Sequence, residues 1–142
     1  PVAILLIGTG AVAGIITNSR LDTALIGILE NLGLPAFALA PISGVFMSAA
    51  TASTTAGSAV ASSVFGSTIL ESGVAGLAGA AMIHAGATVL DHMPHGSFFH
   101  ATAGSVGMQV EERLKLIPYE SLVGLTMATV STLIYGVFQW FL

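Results

Sequence analysis

Hydrophobic residues in this chain occur in long runs that short polar segments interrupt. Residues 1–17 carry no charge and are typical of a membrane-spanning helix, in which glycines permit close packing against neighbouring helices. Residues 119–142 form a last apolar run of about the length that a bilayer requires, with Tyr119 and Trp140 near its two interfaces. The pattern therefore predicts a spanning helix at each end of the sequence.

Residues 18–34 have a different, amphipathic character. Their leucines and isoleucines fall on one helical face, and the charged and amide side chains fall elsewhere. This distribution favours an interfacial helix lying at the bilayer surface, which Gly33 and Pro35 would end. A polar loop with a single helical turn is the alternative.

The prediction of fold and function depends most on residues 35–70. Two charge-free apolar halves flank residues 51–58, which read Thr-Ala-Ser-Thr-Thr-Ala-Gly-Ser. The stretch is longer than the ~20 residues of one span, and each half is too short to cross alone. Irregular backbone at membrane depth occurs only where protein buries it or where it lines a wet cavity. Residues 35–70 are therefore predicted to form either a re-entrant hairpin or a long, broken, tilted crossing.

Residues 74–107 contain a second interruption between apolar halves, at residues 90–96, which read Leu-Asp-His-Met-Pro-His-Gly. Pro94 lacks a backbone donor and Gly96 adds backbone freedom, so a regular helix should break here. Secondary transporters commonly form a substrate site at broken helices near the middle of the membrane. We therefore expect this break to face residues 51–58 across a cavity.

The segment 108–118 carries most of the remaining charge, including Arg113 and Lys115. It is predicted to be an aqueous loop, on the cytoplasmic side according to the positive-inside rule. Glu71 and Glu120 stand at helix ends and are expected to be solvated, and His100 is expected to pack against a neighbouring helix.

Composition supports a membrane protein and excludes several other classes. Only 7% of the 142 residues are charged and 54% are hydrophobic, whereas soluble domains are about a quarter charged. The absence of cysteine excludes a disulfide framework and a thiolate metal site. Three basic residues are too few for a nucleic-acid-binding surface. The chain begins in apolar sequence without the basic lead of a signal peptide, and we expect it to be a fragment of a longer transmembrane protein.

Three ionisable residues in the second break, Asp91, His92 and His95, are the strongest candidates for chemistry. Ionisable groups at membrane depth are costly and usually serve a substrate pathway, a proton relay or an ion pair. An imidazole titrates near neutral pH, so it can take and release a proton during a transport cycle. A surface loop is the alternative, but residues 97–107 are too short to span alone. A metal site that includes His84 is the less favoured interpretation, because the spacing matches no standard ligand motif.

Hydroxyl groups around the first break are the second set of candidates. They can bind a carboxylate together with backbone N–H groups at a half-helix N-terminus, or they can join helices by hydrogen bonds. For the cluster as a group we favour substrate binding. Its members are Thr51, Ser53, Thr54, Thr55, Gly57 and Ser58.

Enzymatic motifs are not recognisable in the sequence. It has no set of nucleophile, base and orienting residue and no glycine-rich phosphate loop. An intramembrane protease would need a Ser/His or an Asp/Asp pair on facing helices, and Asp91 is the only carboxylate predicted at membrane depth. We therefore expect a protein that is not an enzyme and that requires no cofactor, apart from a proton or sodium as the coupling ion.

Three segments resemble the gluconate permease family of the ion transporter superfamily. Residues 8–11, Gly-Thr-Gly-Ala, followed by Asn18 and Ser19, resemble the family's Gly-Thr-Gly-Gly with a following Asp-Ser-Gly. Residues 50–61 resemble its Gly-Ser-Ala-Thr-Val-Ala stretch. Residues 90–96 are similar to the Leu-Asp-Thr-Leu-Pro-His-Asn-Gly element of permeases in the same broad grouping. The resemblance covers nearly all of the chain and would place it in the C-terminal third of a permease.

This resemblance implies proton-coupled uptake of small organic acids such as gluconate. It implies an all-α membrane protein, here the C-terminal repeat of an inverted-repeat transporter, with a re-entrant hairpin at residues 35–70 and a broken helix at 74–107. It also implies a multi-pass homodimer in the inner membrane, whose N-terminal part packs against this part within the lipid bilayer. Gluconate-type members carry an Arg near the position of Met47 and Ser48 and an Asn-Asp pair at that of Pro94 and His95, so a smaller or less hydroxylated carboxylate is an alternative to gluconate itself.

Two other functions stay open on the sequence alone. A cation–proton antiporter of similar architecture would also account for Asp91 beside two histidines. A non-transporting, structural membrane subunit would need neither break for chemistry.

Overall fold

The computed structural model describes residues 33–138 continuously and, before them, only positions 7, 8, 11, 14, 15, 18–20, 23, 24, 27, 28 and 31. The predicted helix over residues 1–17 and the interfacial helix over 18–34 therefore fall largely outside the described residues, as does Trp140. Within the described part of the chain, helices are the regular elements and no strand occurs. This architecture is consistent with an α-helical membrane protein.

The described helices are short and follow one another closely. A 3-10 turn, Ala36–Ala38, precedes the first, and a π-helical turn, Leu133–Val137, follows the last. Between them lie α1 (Leu39–Thr51), α2 (Thr54–Glu71), α3 (Gly76–Ala87), α4 (Ser97–Ser105), α5 (Val110–Leu114) and α6 (Ile117–Thr132).

Helices α1 and α2 pack against each other as a helical hairpin with a two-residue connection. Ala52 ends α1 in the left-handed region (φ 55°, ψ 32°), and Ser53 is extended and caps α2 by accepting the Ala56 N–H at 3.3 Å. A serine at this position satisfies one of the free N–H groups of a helix start. Because of this cap, the break is narrower than residues 51–58, and residues 54–58 are helical.

Helix α3 packs on both arms of the hairpin and completes its core. A Cβ on Gly44 of α1 would overlap the Ile83 carbonyl oxygen, and a Cβ on Gly86 of α3 would overlap that of Pro41. Absent side chains therefore let the two backbones touch, as small residues do in membrane helix pairs. The buried core among the three helices includes Val60, Phe65, Ile69, Met82 and Ile83.

The second interruption begins earlier than residue 90, since α3 ends at Ala87 and α4 starts at Ser97. Turns replace helix between them: the Met93 N–H bonds the Leu90 carbonyl at 3.4 Å, and the Gly96 N–H bonds the Met93 carbonyl at 2.8 Å. Residues 88–96 therefore form the second break.

The segment 108–118 is not wholly an aqueous loop, because it contains α5 and buries one of its charges. The α5 start has a reciprocal capping box, in which the Gln109 N–H donates to Glu112 Oε2 at 2.9 Å. Arg113 is only 2% exposed, and its Nη1 donates to Glu120 Oε2 at 2.6 Å. Glu120 is therefore an ion-pair partner with a 32% exposed side chain, rather than a freely solvated carboxylate.

Aromatic rings cover the other side of the Arg113 guanidinium. Its central carbon lies 5.1 Å from the centroid of Phe99 and 5.9 Å from that of Phe98. Among the described residues, the guanidinium Nε and Nη2 have no hydrogen-bond partner. Cation–π contact with the two rings of α4 thus supplies part of the stabilisation that this buried charge needs. His100, also on α4, donates from Nε2 to the Pro94 carbonyl at 2.9 Å rather than meeting another helix.

One stretch in the described part of the chain, Val110–Val137, is long and apolar enough to cross a membrane. Only 17% of its most apolar window is buried, so its apolar side chains face outward, unlike those of the core helix of a soluble protein. Ala36–Thr51 and Gly76–Ala87 are apolar but shorter. An apolar helix with an outward apolar surface is suited to lipid.

Candidate functional site

The hairpin tip and the second break are in direct contact. The Thr54 hydroxyl donates to Asp91 Oδ2, and His95 Nε2–H donates to the Ala49 carbonyl at 2.9 Å. A Cβ on Gly96 would lie 3.2 Å from the Ala52 carbonyl oxygen. The two interruptions therefore face each other, and their described residues make direct contact rather than facing each other across a cavity.

Asp91 lies between a helix N-terminus and an imidazole. Its Oδ2 accepts from the first residue of α2, and its Oδ1 is 3.6 Å from His92 Nδ1. Its side chain is 18% exposed. A carboxylate is stabilised at a helix N-terminus by the free N–H groups and by the helix dipole. Asp91 thus occupies the end of α2 that the sequence suggested for a substrate carboxylate.

His92 is buried, with a 2% exposed side chain, and each of its ring nitrogens faces a different polar group. Nδ1 faces Asp91, and Nε2 is 2.8 Å from the Ser121 hydroxyl oxygen on α6. A buried imidazole needs such partners, because an unpaired polar group in an apolar interior is costly. The sequence did not identify Ser121 as a site residue, because a serine within a long apolar run forms no recognisable motif.

His95 is more exposed and has a separate partner. A carbonyl oxygen can only accept, so the 2.9 Å contact with Ala49 fixes a proton on His95 Nε2. This bond is available in both the neutral and the protonated imidazole. His95 therefore fastens the second break to the hairpin independently of Asp91 and His92.

The candidate hydroxyls divide into those that serve their own helix and those that reach another element. Thr51 Oγ1 lies 2.7 Å from the Met47 carbonyl oxygen, and Ser53 caps α2. Ser58 Oγ lies 3.2 Å from His84 Nδ1 on α3, and Thr55 is exposed. Gly57 touches the α1 backbone near Ser48, where a Cβ would not fit. Among the six candidates, Thr54 is the one with a described bond to the second break.

A cavity of about 360 Å³ opens beside the second break, between it and α6. This volume is in the range of small-molecule sites. Asp91 and His92 line it, whereas the candidate hydroxyls of the hairpin tip do not. Among the described residues, no cluster of three His, Asp or Glu side chains is arranged for a metal ion. The other side chains of interest that line the cavity are Phe98, Tyr119, Glu120 and Met127.

Comparison with known proteins gives one informative relative. The chain is 74% identical over 140 residues to a Haemophilus influenzae protein described as an uncharacterized transporter. The alignment covers 99% of this chain and 33% of that protein, so the chain spans about a third of the relative's length. No family model matches the chain, and no solved structure matches it. The relative's description, together with the outward apolar helix, supports a membrane transport protein and does not single out the gluconate permease family.

Proposed function

We propose that this chain is part of a secondary active transporter that takes up small organic acids of the gluconate type together with protons. One observation carries the proposal: the hydroxyl-bearing tip of the hairpin contacts Asp91, which together with His92 lines a cavity of about 360 Å³. A site that joins a helix N-terminus, a carboxylate and an imidazole has groups for both an anion and a proton.

Competition for the N-terminus of α2 links the two ligands. The Asp91 carboxyl group already occupies this helix end, where Thr54 donates to it. A substrate carboxylate brought to the same end meets the negative charge of Asp91, and two like charges at close range repel. Protonation of Asp91 removes that repulsion. The anion therefore binds better to the protonated site, and by reciprocity the proton binds better when the anion is present.

The lengths of the hairpin helices suit a re-entrant arrangement. Helix α1 has 13 residues and α2 has 18, which correspond to roughly 20 and 27 Å at the α-helical rise. Both are shorter than the ~30 Å hydrocarbon core, so a hairpin entering from one side would hold its tip within the membrane. The candidate substrate residues remain Thr51, Ser53, Thr54, Thr55, Gly57 and Ser58 at this tip, with Asp91, His92 and His95 as proton-coupling or substrate residues.

In the complete protein we place this chain in the C-terminal repeat of a multi-pass, inverted-repeat transporter of the inner membrane. The N-terminal part would supply the opposing half of the site, and the assembly would be a homodimer in the lipid bilayer. The relative's greater length leaves room for such a repeat, since the alignment covers 33% of it.

A cation–proton antiporter is the second candidate, and the lining of the cavity favours it. Asp91 and Glu120 both contribute carboxylates there, beside His92. Part of this negative charge is balanced by Arg113, which bonds Glu120 at 2.6 Å. An acidic cavity attracts cations, whereas the α2 N-terminus attracts anions. Measurement of which ion is transported therefore distinguishes the two functions.

Uptake of radiolabelled gluconate and smaller hydroxy acids by the complete protein in proteoliposomes tests the proposal. An inward proton gradient should accelerate uptake. His95→Ala should reduce uptake because it removes the hydrogen bond that joins the second break to the hairpin. Ser53→Ala should reduce uptake because it removes the N-cap of α2. Ser67→Ala, on the exposed side of α2, is the matched control and should transport normally.

The alternatives predict other outcomes of the same experiment. Sodium flux without any organic anion would replace the symporter with the antiporter. Absence of transport, together with a thermal stability that no small carboxylate raises, would indicate a structural subunit, because a ligand that binds only the folded state must stabilise it. Full transport by both site variants would remove the site assignment.

A further inference from the structure

We propose that Ser121 is a positioning residue for the Asp91–His92 pair, and that its hydroxyl sets the pH at which this pair takes up a proton. The inference rests on the proposed function in one respect, that Asp91 and His92 form the proton site of a transporter. It adds a residue of α6 to a site that the sequence confined to the two breaks.

The geometry joins three elements in one chain of contacts. Thr54 of α2 donates to Asp91, and Asp91 Oδ1 lies 3.6 Å from His92 Nδ1. His92 Nε2 lies 2.8 Å from the Ser121 hydroxyl oxygen of α6. The buried imidazole therefore has a hydrogen bond on one side and a carboxylate at ion-pair distance on the other, and rotation of its ring would break the Ser121 bond. Ser121 thus keeps Nδ1 directed at the carboxylate.

A hydroxyl is suited to this position because it can both donate and accept. With a proton on Nδ1, the neutral imidazole accepts the Ser121 hydrogen at Nε2. When His92 gains a proton at Nε2, the new N–H donates to the Ser121 oxygen while Nδ1–H remains directed at Asp91. The site therefore accepts one added proton by rotation of the Ser121 hydroxyl, and no covalent bond changes other than the new N–H bond of His92.

Other titratable groups near this pair have separate partners or positions. On the second break, His95 bonds the Ala49 carbonyl. On α3, His84 contacts Ser58, and α2 presents Thr54, which does not titrate, to Asp91. These elements therefore add no further titrating contact to Asp91 or His92.

From the side of α6, Tyr119 and Glu120 line the same cavity as the pair. The Glu120 carboxylate is bonded to Arg113 of α5, which compensates its charge. Among the described residues of α6, Glu120 therefore brings no uncompensated charge to the pair.

Removal of the Ser121 hydroxyl should shift this titration to lower pH. A hydrogen bond to a charged group contributes more than one to a neutral group, so Ser121→Ala destabilises the imidazolium more than the imidazole. The corresponding shift of the pH at half-maximal uptake is about half a unit toward acid. Ser121→Thr retains the hydroxyl and should restore the wild-type profile.

The first experiment measures uptake by the complete protein in proteoliposomes as a function of pH. Thr126→Ala is the matched control, because the Thr126 hydroxyl lies on α6 but bonds the Leu122 carbonyl of its own helix at 2.7 Å. Ser121→Ala should shift the profile, whereas Ser121→Thr and Thr126→Ala should leave it at the wild-type position. An unshifted Ser121→Ala profile, or an equal shift in Thr126→Ala, would overturn the inference.

The second experiment does not depend on transport. Histidine labelled with carbon-13 is followed by NMR in the complete protein in detergent, and His92→Gln identifies the His92 signal. Its midpoint should move toward acid in Ser121→Ala and stay in place in Thr126→Ala. If Ser121→Ala does not fold, Ser121→Cys provides a weaker hydrogen bond in nearly the same volume and should give a smaller shift in the same direction.

The two experiments separate the two proposals. Absence of carboxylate uptake in the wild type would reject the proposed function, while the NMR midpoint would still decide the role of Ser121. A His92 midpoint that neither Ser121→Ala nor Ser121→Cys moves would reject that role even if proton-coupled uptake is observed.

Discussion

The Thr54 hydroxyl donates a hydrogen bond to Asp91 Oδ2, which joins the first residue of α2 to a break 37 residues further along the chain. The contact gives the hairpin tip a charged partner and gives the carboxylate a helix N-terminus. His95 adds a second hydrogen bond beside it, to the Ala49 carbonyl at 2.9 Å. The hairpin tip and the second break are therefore joined by two hydrogen bonds, one to a carboxylate and one to a backbone carbonyl.

Loss of the Thr54 hydroxyl should destabilise this unit. Thr54→Val keeps the side-chain shape but leaves the Asp91 carboxylate without one donor, which should cost about 1.5–3 kcal/mol of unfolding free energy. Thr54→Ser should retain most of the stability. Denaturant unfolding of the complete protein in detergent provides the measurement, with exposed Ser67→Ala as the unaffected control. A Thr54→Val variant as stable as the wild type would mean that the bond contributes nothing net.

Neutralisation of Asp91 should separate transport from proton coupling. In Asp91→Asn the side-chain amide oxygen still accepts from Thr54, so the hairpin tip should stay attached, but the group no longer takes up a proton. We expect proton-driven accumulation to fall to background, while exchange of labelled for unlabelled substrate continues. Glu71→Gln, on the exposed end of α2, is the control for loss of one charge. Retention of proton-driven accumulation in Asp91→Asn would assign coupling to another group.

The Arg113–Glu120 pair, in which only Arg113 is buried, should respond asymmetrically to substitution. Glu120→Gln leaves a 2% exposed guanidinium without its counter-charge and should cost about 3 kcal/mol of unfolding free energy. Arg113→Met fills the space beside Phe98 and Phe99 and leaves a carboxylate that is 32% exposed and can be hydrated, so its cost should be about 1 kcal/mol or less. Unfolding of both single variants and the double variant decides this. Equal losses would show that charge burial does not dominate here.

Glycines at helix contacts should be far less tolerant than glycines that contact nothing. Gly86→Ala brings a methyl group onto the Pro41 carbonyl and should destabilise the protein by about 2–3 kcal/mol, because both groups belong to backbone that cannot move aside. A Cβ on Gly66 of α2 meets nothing within 4 Å, and Gly66→Ala should stabilise by about 0.5–1 kcal/mol through helix propensity. Thermal unfolding of the two variants gives the comparison, and similar effects would contradict the close contact of α1 and α3.

Local backbone chemistry made the interruptions predictable. Pro94 and Gly96 within a polar segment disfavour a regular helix, and the structure has turns there. The first break is narrower than residues 51–58, because small hydroxyl residues also fit a helix. After Ser53 caps the helix, the residues that follow, beginning with Thr54, are compatible with a helical first turn.

Tertiary partners explain what the sequence did not reveal. Arg113 lies in a charged segment that is typical of a water-facing loop, and only the rings of Phe98 and Phe99 on another helix make its burial possible. Ser121 is one hydroxyl among many in apolar sequence, and it is distinguished by the imidazole that meets it. Such pairs depend on how distant segments pack, which neither periodicity nor composition encodes.

The backbone contacts of Gly44 and Gly86 also restrict how the molecule can change shape. A carbonyl group of each helix contacts a glycine of the other helix. Helices α1 and α3 therefore have no free space in which to slide or rotate against each other. Any rearrangement that exposes the site first to one aqueous side and then to the other must carry these two helices together. Bending would then be confined to the Ala52–Ser53 connection and to residues 88–96, which contain or adjoin the hydrogen bond between Thr54 and Asp91.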